Sequence, residues 1–263
     1  MTFDYVPILQ IQRDLHALPR THERFQQYLR TIGAKDSDQL ELPSLIIMNP
    51  MGKEHVTVLL DALLAMDADG IAARALAEAA EDLANAAGDF KAALVVADDW
   101  KGGWTNRYAT EYTLRFPGGA TARGELPRWA KNFWVNGVLW SSEPASERAV
   151  REAILTSAYR TAYLQQHGPA RTLRDMLAQE GHVMVKAGCT GPVLDEDDIA
   201  YTREVLAPFL DATDKRTVME CLFGDAAGQT LGFSPRGLSP WAGMALALFD
   251  ARNSTPTRTR EQV

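Results

Sequence analysis

An apolar run that stops abruptly constrains this chain more than any other stretch. Ala92-Ala93-Leu94-Val95-Val96-Ala97 has no polar alternation, and Asp98-Asp99-Trp100-Lys101-Gly102-Gly103-Trp104-Thr105-Asn106-Arg107 follows at once. A short run of this kind reads as a strand buried on both faces. The polar groups crowded at its end then face solvent or a ligand. In open α/β sheets that carboxyl edge is where ligands bind.

The rest of the chain divides by period. Residues 4–18 and 21–32 carry apolar residues at helical spacing, an N-terminal helical pair over 4–33. Leu45-Ile46-Ile47-Met48 reads as a short buried strand ended by Asn49-Pro50. Helical stripes run from Lys53 to Gly88 with a pause at Asp67-Ala68-Asp69-Gly70. Strand, helices, strand is the pattern of a βαβ unit with parallel strands. Thr110 to Phe116 alternates with period two and predicts a strand closed by Pro117-Gly118-Gly119. Asn132 to Ser141 predicts another, with a bend or bulge at Gly137.

Helices are predicted over 144–166 and 170–179, then a strand over His182–Lys186, then helices over 195–209, 214–223 and 239–250. The tail 253–263 is polar and reads as disordered. The expected architecture is α/β (or α+β), a mixed sheet of about five strands with helices packed on it. The N-terminal helices and a helical C-terminal region over 195–250 extend a single domain spanning 1–252.

Composition narrows the function classes. The 263 residues have a net charge of −7, which disfavours nonspecific coating of nucleic acid. Cys189 and Cys221 are too few for a disulfide scaffold. No segment approaches the roughly 18 apolar residues of a membrane span, and the N-terminus lacks the pattern of a signal peptide. These readings predict a soluble, cytoplasmic protein. Between Trp100 and Lys131, six basic residues face Glu111 and Glu125, a local excess of four positive charges. Such a field suits an anionic small molecule or an acidic partner surface; solvated arginines paired with nearby carboxylates account for it equally well.

Two turns carry the candidate chemistry. At Asn49-Pro50-Met51-Gly52-Lys53, Gly52 permits close approach to the backbone, and Lys53 and the following helix amides suit an anion. The spacing is neither a Walker A loop nor a dinucleotide fingerprint. At the other turn, Asp98 and Asp99 are candidates for general acid–base work or for a divalent cation, with His55 and Glu111 as further ligands. Asn106 and Arg107 offer donors for a carboxylate or phosphate, and Trp104 offers a ring for stacking. Asp67-Ala68-Asp69-Gly70 lacks the later ligand positions of a calcium loop. A catalytic role for Cys189 needs a nearby base, and a buried inert thiol is the commoner case. Trp134 and Trp140 suit a homodimer interface or an ordinary core.

Two functions from different classes follow. The chain is an enzyme acting on a small anionic or polar substrate, with Asp98 or Asp99 as acid/base or metal ligand and Asn49, Gly52, Lys53, Trp104, Asn106 and Arg107 around it. Alternatively it is a noncatalytic binding or interaction module that uses the aromatic and basic loop 100–115. Both require the two turns to meet.

Overall fold

Asp89–Ala97, the apolar run with the three residues before it, is the central strand of a parallel sheet in the computed structural model, which describes residues 1–33, 40–100, 104–117 and 134–254. The sheet consists, among the described residues, of β1 (Thr2–Tyr5), β2 (Asp89–Ala97) and β3 (Trp134–Trp140), in the order β1-β2-β3. Both pairings are parallel; Thr2 lies opposite Asp89 and Lys91 opposite Trp134. Ala97 lies opposite Trp140, so β2 and β3 end level with one another. Asp98 and Ser141 therefore leave the same edge.

The helices, in chain order, are α1 (Leu9–Ala17), α2 (His22–Ile32), α3 (Glu54–Ala65), α4 (Ala68–Asp82), α5 (Arg107–Arg115) and α6 (Glu147–His167). There follow α7 (Leu173–Lys186), α8 (Glu196–Leu206), α9 (Lys215–Phe223), α10 (Asp225–Leu231) and α11 (Ala242–Ser254). Two compact units result. The described residues of 1–110 and 126–162 form the first, and those of 111–125 and 163–263 the second.

The expected mixed sheet of about five strands is thus corrected to three parallel strands, for reasons visible in the local chemistry. Leu45–Met48 falls at a 3₁₀ turn, Pro43–Ile47, whose proline sits at the first helical position. Leu45 and Met48, three apart, then share one side and pack into the core. Thr110–Arg115 is helical although Tyr112, Leu114 and Phe116 alternate. Pairs four apart decide it: the Tyr112 and Phe116 rings meet at a tilt with centroids 5.6 Å apart, and Arg115 Nε donates to Glu111 at 2.8 Å. His182–Lys186 continues α7, which a capping box launches: Thr172 and Asp175 exchange side-chain and backbone bonds. The N-terminal residues counted into a helix begin instead with β1, four residues being too short for a period to register.

In the first unit Ala93 and Val95 of β2 pack against Ile8, Leu15, Tyr28, Leu45 and Met48. On the opposite face α6 comes very close to β3. A Cβ on Gly137 would sit 2.7 Å from Leu94 Cδ2 and about 3.1 Å from the backbone nitrogen of Ile154. The ladder through Gly137 runs without interruption from Trp134 to Trp140. This glycine thus serves helix approach, and the predicted bend or bulge is not formed. Gly137→Ala is expected to destabilise by about 1–3 kcal/mol through overpacking. A lower urea midpoint at unchanged m would register it.

In the second unit Arg115 is sandwiched between the carboxylates of Glu111 and Glu180. Glu180 is fully buried, and Gln179 Nε2 donates to the Arg115 carbonyl at 2.8 Å. Such a group is costly to break because a lone buried charge would remain.

Candidate functional site at the carboxyl edge of the sheet

Asp98 is the first residue past β2 and is only 3% exposed. A carboxylate there must be hydrogen-bonded, and it is. Asn49 Nδ2 donates to Oδ2 at 2.7 Å, and His55 Nε2 lies 2.7 Å from Oδ1. Ser141 Oγ donates to Oδ1 at 3.2 Å, and the Trp100 amide approaches it at 3.4 Å. Burial alone would push this carboxyl up. The hydrogen bonds from His55, Asn49 and Ser141, with the His55 charge, outweigh it and hold Asp98 below the usual carboxylate range.

The turn at 49–55 supplies its partners by local folding. Asn49 Oδ1 accepts from the Met51 amide at 2.9 Å, closing an Asx turn, which frees its Nδ2 for Asp98. Pro50 and Gly52 complete the turn, and Gly52 N–H donates to the Asn49 carbonyl at 3.0 Å. Lys53 is the N-cap of α3, and His55 stands in its first turn, half-buried. The His55 Nδ1 atom makes no hydrogen bond among the described residues.

Sequence reasoning missed His16. It lies on the buried face of α1 with Leu9, Gln12 and Leu15, and is 6% exposed. Its Cε1 would be 2.9 Å from a Cβ at Gly52, so that glycine makes room for an imidazole. Its Nε2 is buried and has no partner among the described residues. Burial, then the Arg24 guanidinium, push His16 down to about 4, against the opposing pull of Asp98. Arg24 is itself buried; it donates to the carbonyls of Leu18, His16 and Gly52, tying the end of α1 to the turn. Polar residues on an apolar helix face were the available signal.

Asp99 belongs to a neighbouring cluster. Its carboxylate accepts from the Ser142 amide at 3.0 Å and Ser142 Oγ at 2.7 Å, and its Oδ1 lies 3.2 Å from Ser141 Oγ, whose single proton serves either Asp98 or Asp99. Arg107 stands 3.7 Å from it, pairs with Glu143, and lies over the Trp140 ring at 5.2 Å. Extending the carboxyl-edge argument to the third strand would have singled out Ser141 and Ser142. Asn106 Oδ1 caps α5 by accepting from the Ala109 amide at 3.0 Å. Trp104 is 65% exposed. Lys53 is exposed and forms no ion pair among the described residues.

The two turns therefore meet: Asn49, His55, Asp98 and, through Ser141, Asp99 are brought together. Glu111 is not part of this group; it belongs to the second unit and pairs with Arg115. Among the described residues no three His, Cys, Asp or Glu side chains are grouped to hold a metal ion. Both cysteines are buried, and burial pushes the Cys221 thiol up to about 11. No helix among the described residues is long and apolar enough to cross a membrane. Comparison with known proteins returns no matching family model, no matching curated protein and no matching solved structure.

Proposed function

We propose that the chain is an enzyme acting on a small polar or anionic substrate at the carboxyl edge of the sheet, with His55 as its acid–base group. The observation that carries this reading is the 2.7 Å bond between His55 Nε2 and the buried Asp98 carboxylate. A carboxylate so placed fixes the ring orientation and stabilises the imidazolium formed when Nδ1 takes a proton. Asp98 is a positioning residue in this scheme. A carboxyl held below its usual range is too weak a base to serve near neutral pH. Lys53 and Trp104, exposed beside the two turns, supply a charge and a ring for the substrate.

A thermal-shift screen with phosphorylated and carboxylated metabolites tests the reading. A specific ligand at about 100 times its Kd is expected to raise Tm by about 5 °C or more. His55→Gln and Asp98→Asn are expected to keep the far-UV spectrum and lose that shift. Equal shifts in all three proteins would remove the pair from the site. The exposure of Trp104 and Trp100 favours the second reading, a noncatalytic docking surface. That reading requires Trp104→Ala to abolish ligand or partner binding while His55→Gln leaves it intact.

A further inference from the structure

Three cations converge on the turn that leads into α3, and none of them meets a carboxylate among the described residues. Arg20, exposed between α1 and α2, donates from Nε to the Met51 carbonyl at 3.1 Å. Arg24, 5% exposed, reaches the Gly52 carbonyl through Nη1 at 3.4 Å. Its Nε and Nη2 donate to the Leu18 and His16 carbonyls at 2.7 and 3.1 Å. Lys53 comes next in the chain and is exposed. Positions 51, 52 and 53 thus each bring one positive charge, all within the first unit.

No described acid cancels that charge. Buried cations are ordinarily paired with acids, and even the more exposed Arg13 and Arg151 of the same unit each meet one at 2.6 Å. Arg24 has carbonyls alone, and the end of α1 offsets about half a charge. Burial, then the Arg20 guanidinium, push Arg24 down, so these two cations lie close enough to repel. Glu23 and Glu54, the acids of the same two segments, are exposed and form no ion pair among the described residues. Asp98 is taken by His55 and Asn49. Donors remain for a ligand: Arg20 uses only Nε on Met51, and both of its terminal nitrogens are without a partner among the described residues. A guanidinium fork matches two oxygens of one phosphate, and Lys53 adds a point charge beside it. A carboxylate would bring one negative charge to three cations, whereas a phosphate monoester brings up to about two.

We propose that this turn binds the phosphate group of a small phosphate monoester, held by Arg20 and Lys53 with Arg24 behind the backbone. The inference rests on the reading of the carboxyl edge as a substrate site, and it names the substrate class. His55 stands two residues beyond Lys53 and reaches Asp98 at 2.7 Å, so a molecule anchored at the turn has its remaining atoms beside that imidazole. Arg24 is a positioning residue here: its bond to the Gly52 carbonyl ties the turn to the end of α1 and keeps a charge beneath it.

Nitrogen-edited NMR of the full chain, titrated with inorganic phosphate at pH 7.5 and constant ionic strength, tests this, with acetate as the monoanion control. The Gly52 and Lys53 amides and the Arg20 Nε–H are expected to shift and saturate with a Kd on the order of 1 mM, and acetate to bind at least about tenfold more weakly. Arg20→Glu and Lys53→Glu, both at exposed positions, are each expected to weaken phosphate about fivefold or more. Arg30→Glu changes the net charge equally in the last turn of α2 and is expected to leave the affinity within about twofold. Glycerol 3-phosphate is expected to bind at least as tightly as inorganic phosphate and to shift the His55 ring as well; a preference for inorganic phosphate would overturn the ester and assign the turn to the free ion. Shifts that do not saturate by about 20 mM phosphate, or equal affinities in Arg20→Glu and Arg30→Glu, would overturn the site itself. His55→Gln is expected to leave the affinity for inorganic phosphate within about twofold, which separates the two readings. Phosphate that fails to bind a chain whose metabolite shift depends on His55 defeats this proposal alone; phosphate that binds a chain whose metabolite shift ignores His55 defeats the acid–base reading alone.

Discussion

His16→Phe is expected to flatten the acid limb of the stability profile. In the wild-type protein the buried imidazole titrates at about 4, against about 6.5 in the unfolded chain. The sign follows from proton binding. Between these values the unfolded state holds the extra proton, so stability falls as pH drops from about 6.5 to about 4, and no further loss from this group occurs below that. The full span corresponds to about 3 kcal/mol. Phenylalanine fills the site without a titrating group and removes a nitrogen that has no partner, so stability near pH 7.5 is expected to stay equal or rise. Urea melts of both proteins at pH 7.5, 6, 5 and 4 check this; parallel curves would show that His16 does not titrate in the folded state at the stated value. Asp98 does not confound the comparison. Its carboxyl is held low, so its contribution is lost only as pH falls further, and equally in both proteins.

Gln12→Leu is expected to cost more at neutral pH than any other single change considered. β1 ends opposite Ala92, which leaves the outer edge of Val96 without a strand partner. The Gln12 amide takes that place: Nε2 donates to the Val96 carbonyl at 2.7 Å, and Oε1 accepts from the Val96 amide at 3.0 Å. Gln12 is fully buried, so leucine would leave two backbone groups dry and unpaired. At about 1–3 kcal/mol for each, the loss is about 2–5 kcal/mol, read as a drop in urea midpoint. Gln12→Glu separates hydrogen bonding from shape. A protonated carboxyl can restore both bonds, whereas the ionised form repels the Val96 carbonyl, so this variant is expected to gain on wild type as pH falls. A leucine variant of wild-type stability would show that the side chain contributes only volume.

The parts of the fold legible in the sequence were those whose period survives burial. The run ending at Ala97 and the stripes of α3, α4 and α6 are long enough for spacing to speak. Thr110–Phe116 misled because Tyr112 and Phe116 satisfy both periods two and four, and the contacts that select the helix are made only once it forms. Val183 and Val185 suggested a strand, but the capping box at Thr172 and the fit of Gly181 against Ala247 carry α7 through them. At the candidate site, the crowding after Ala97 marked Asp98 and Asp99 directly, whereas Asn49 was singled out from a strand expected to end at Met48 where the chain forms a 3₁₀ turn instead, and His55 only as a candidate metal ligand. His16 and Ser141 were not legible in the same way. One is a polar residue on a helix face that reads as core, and the other gains its place from register between distant strands. Neither property is local.

The spacing of the sheet's partners along the chain also sets the order in which it can assemble. Thr2 meets a residue 87 positions later, and Lys91 one 43 positions later. During synthesis β1 leaves the ribosome long before β2 exists, and neither ladder can be zipped from a neighbouring turn. Loop closure over such distances comes before any reward from pairing, which places this sheet among slow-forming topologies. Until then the leading segment must be kept from other partners, and its four-residue length offers a stranger very little edge to seize.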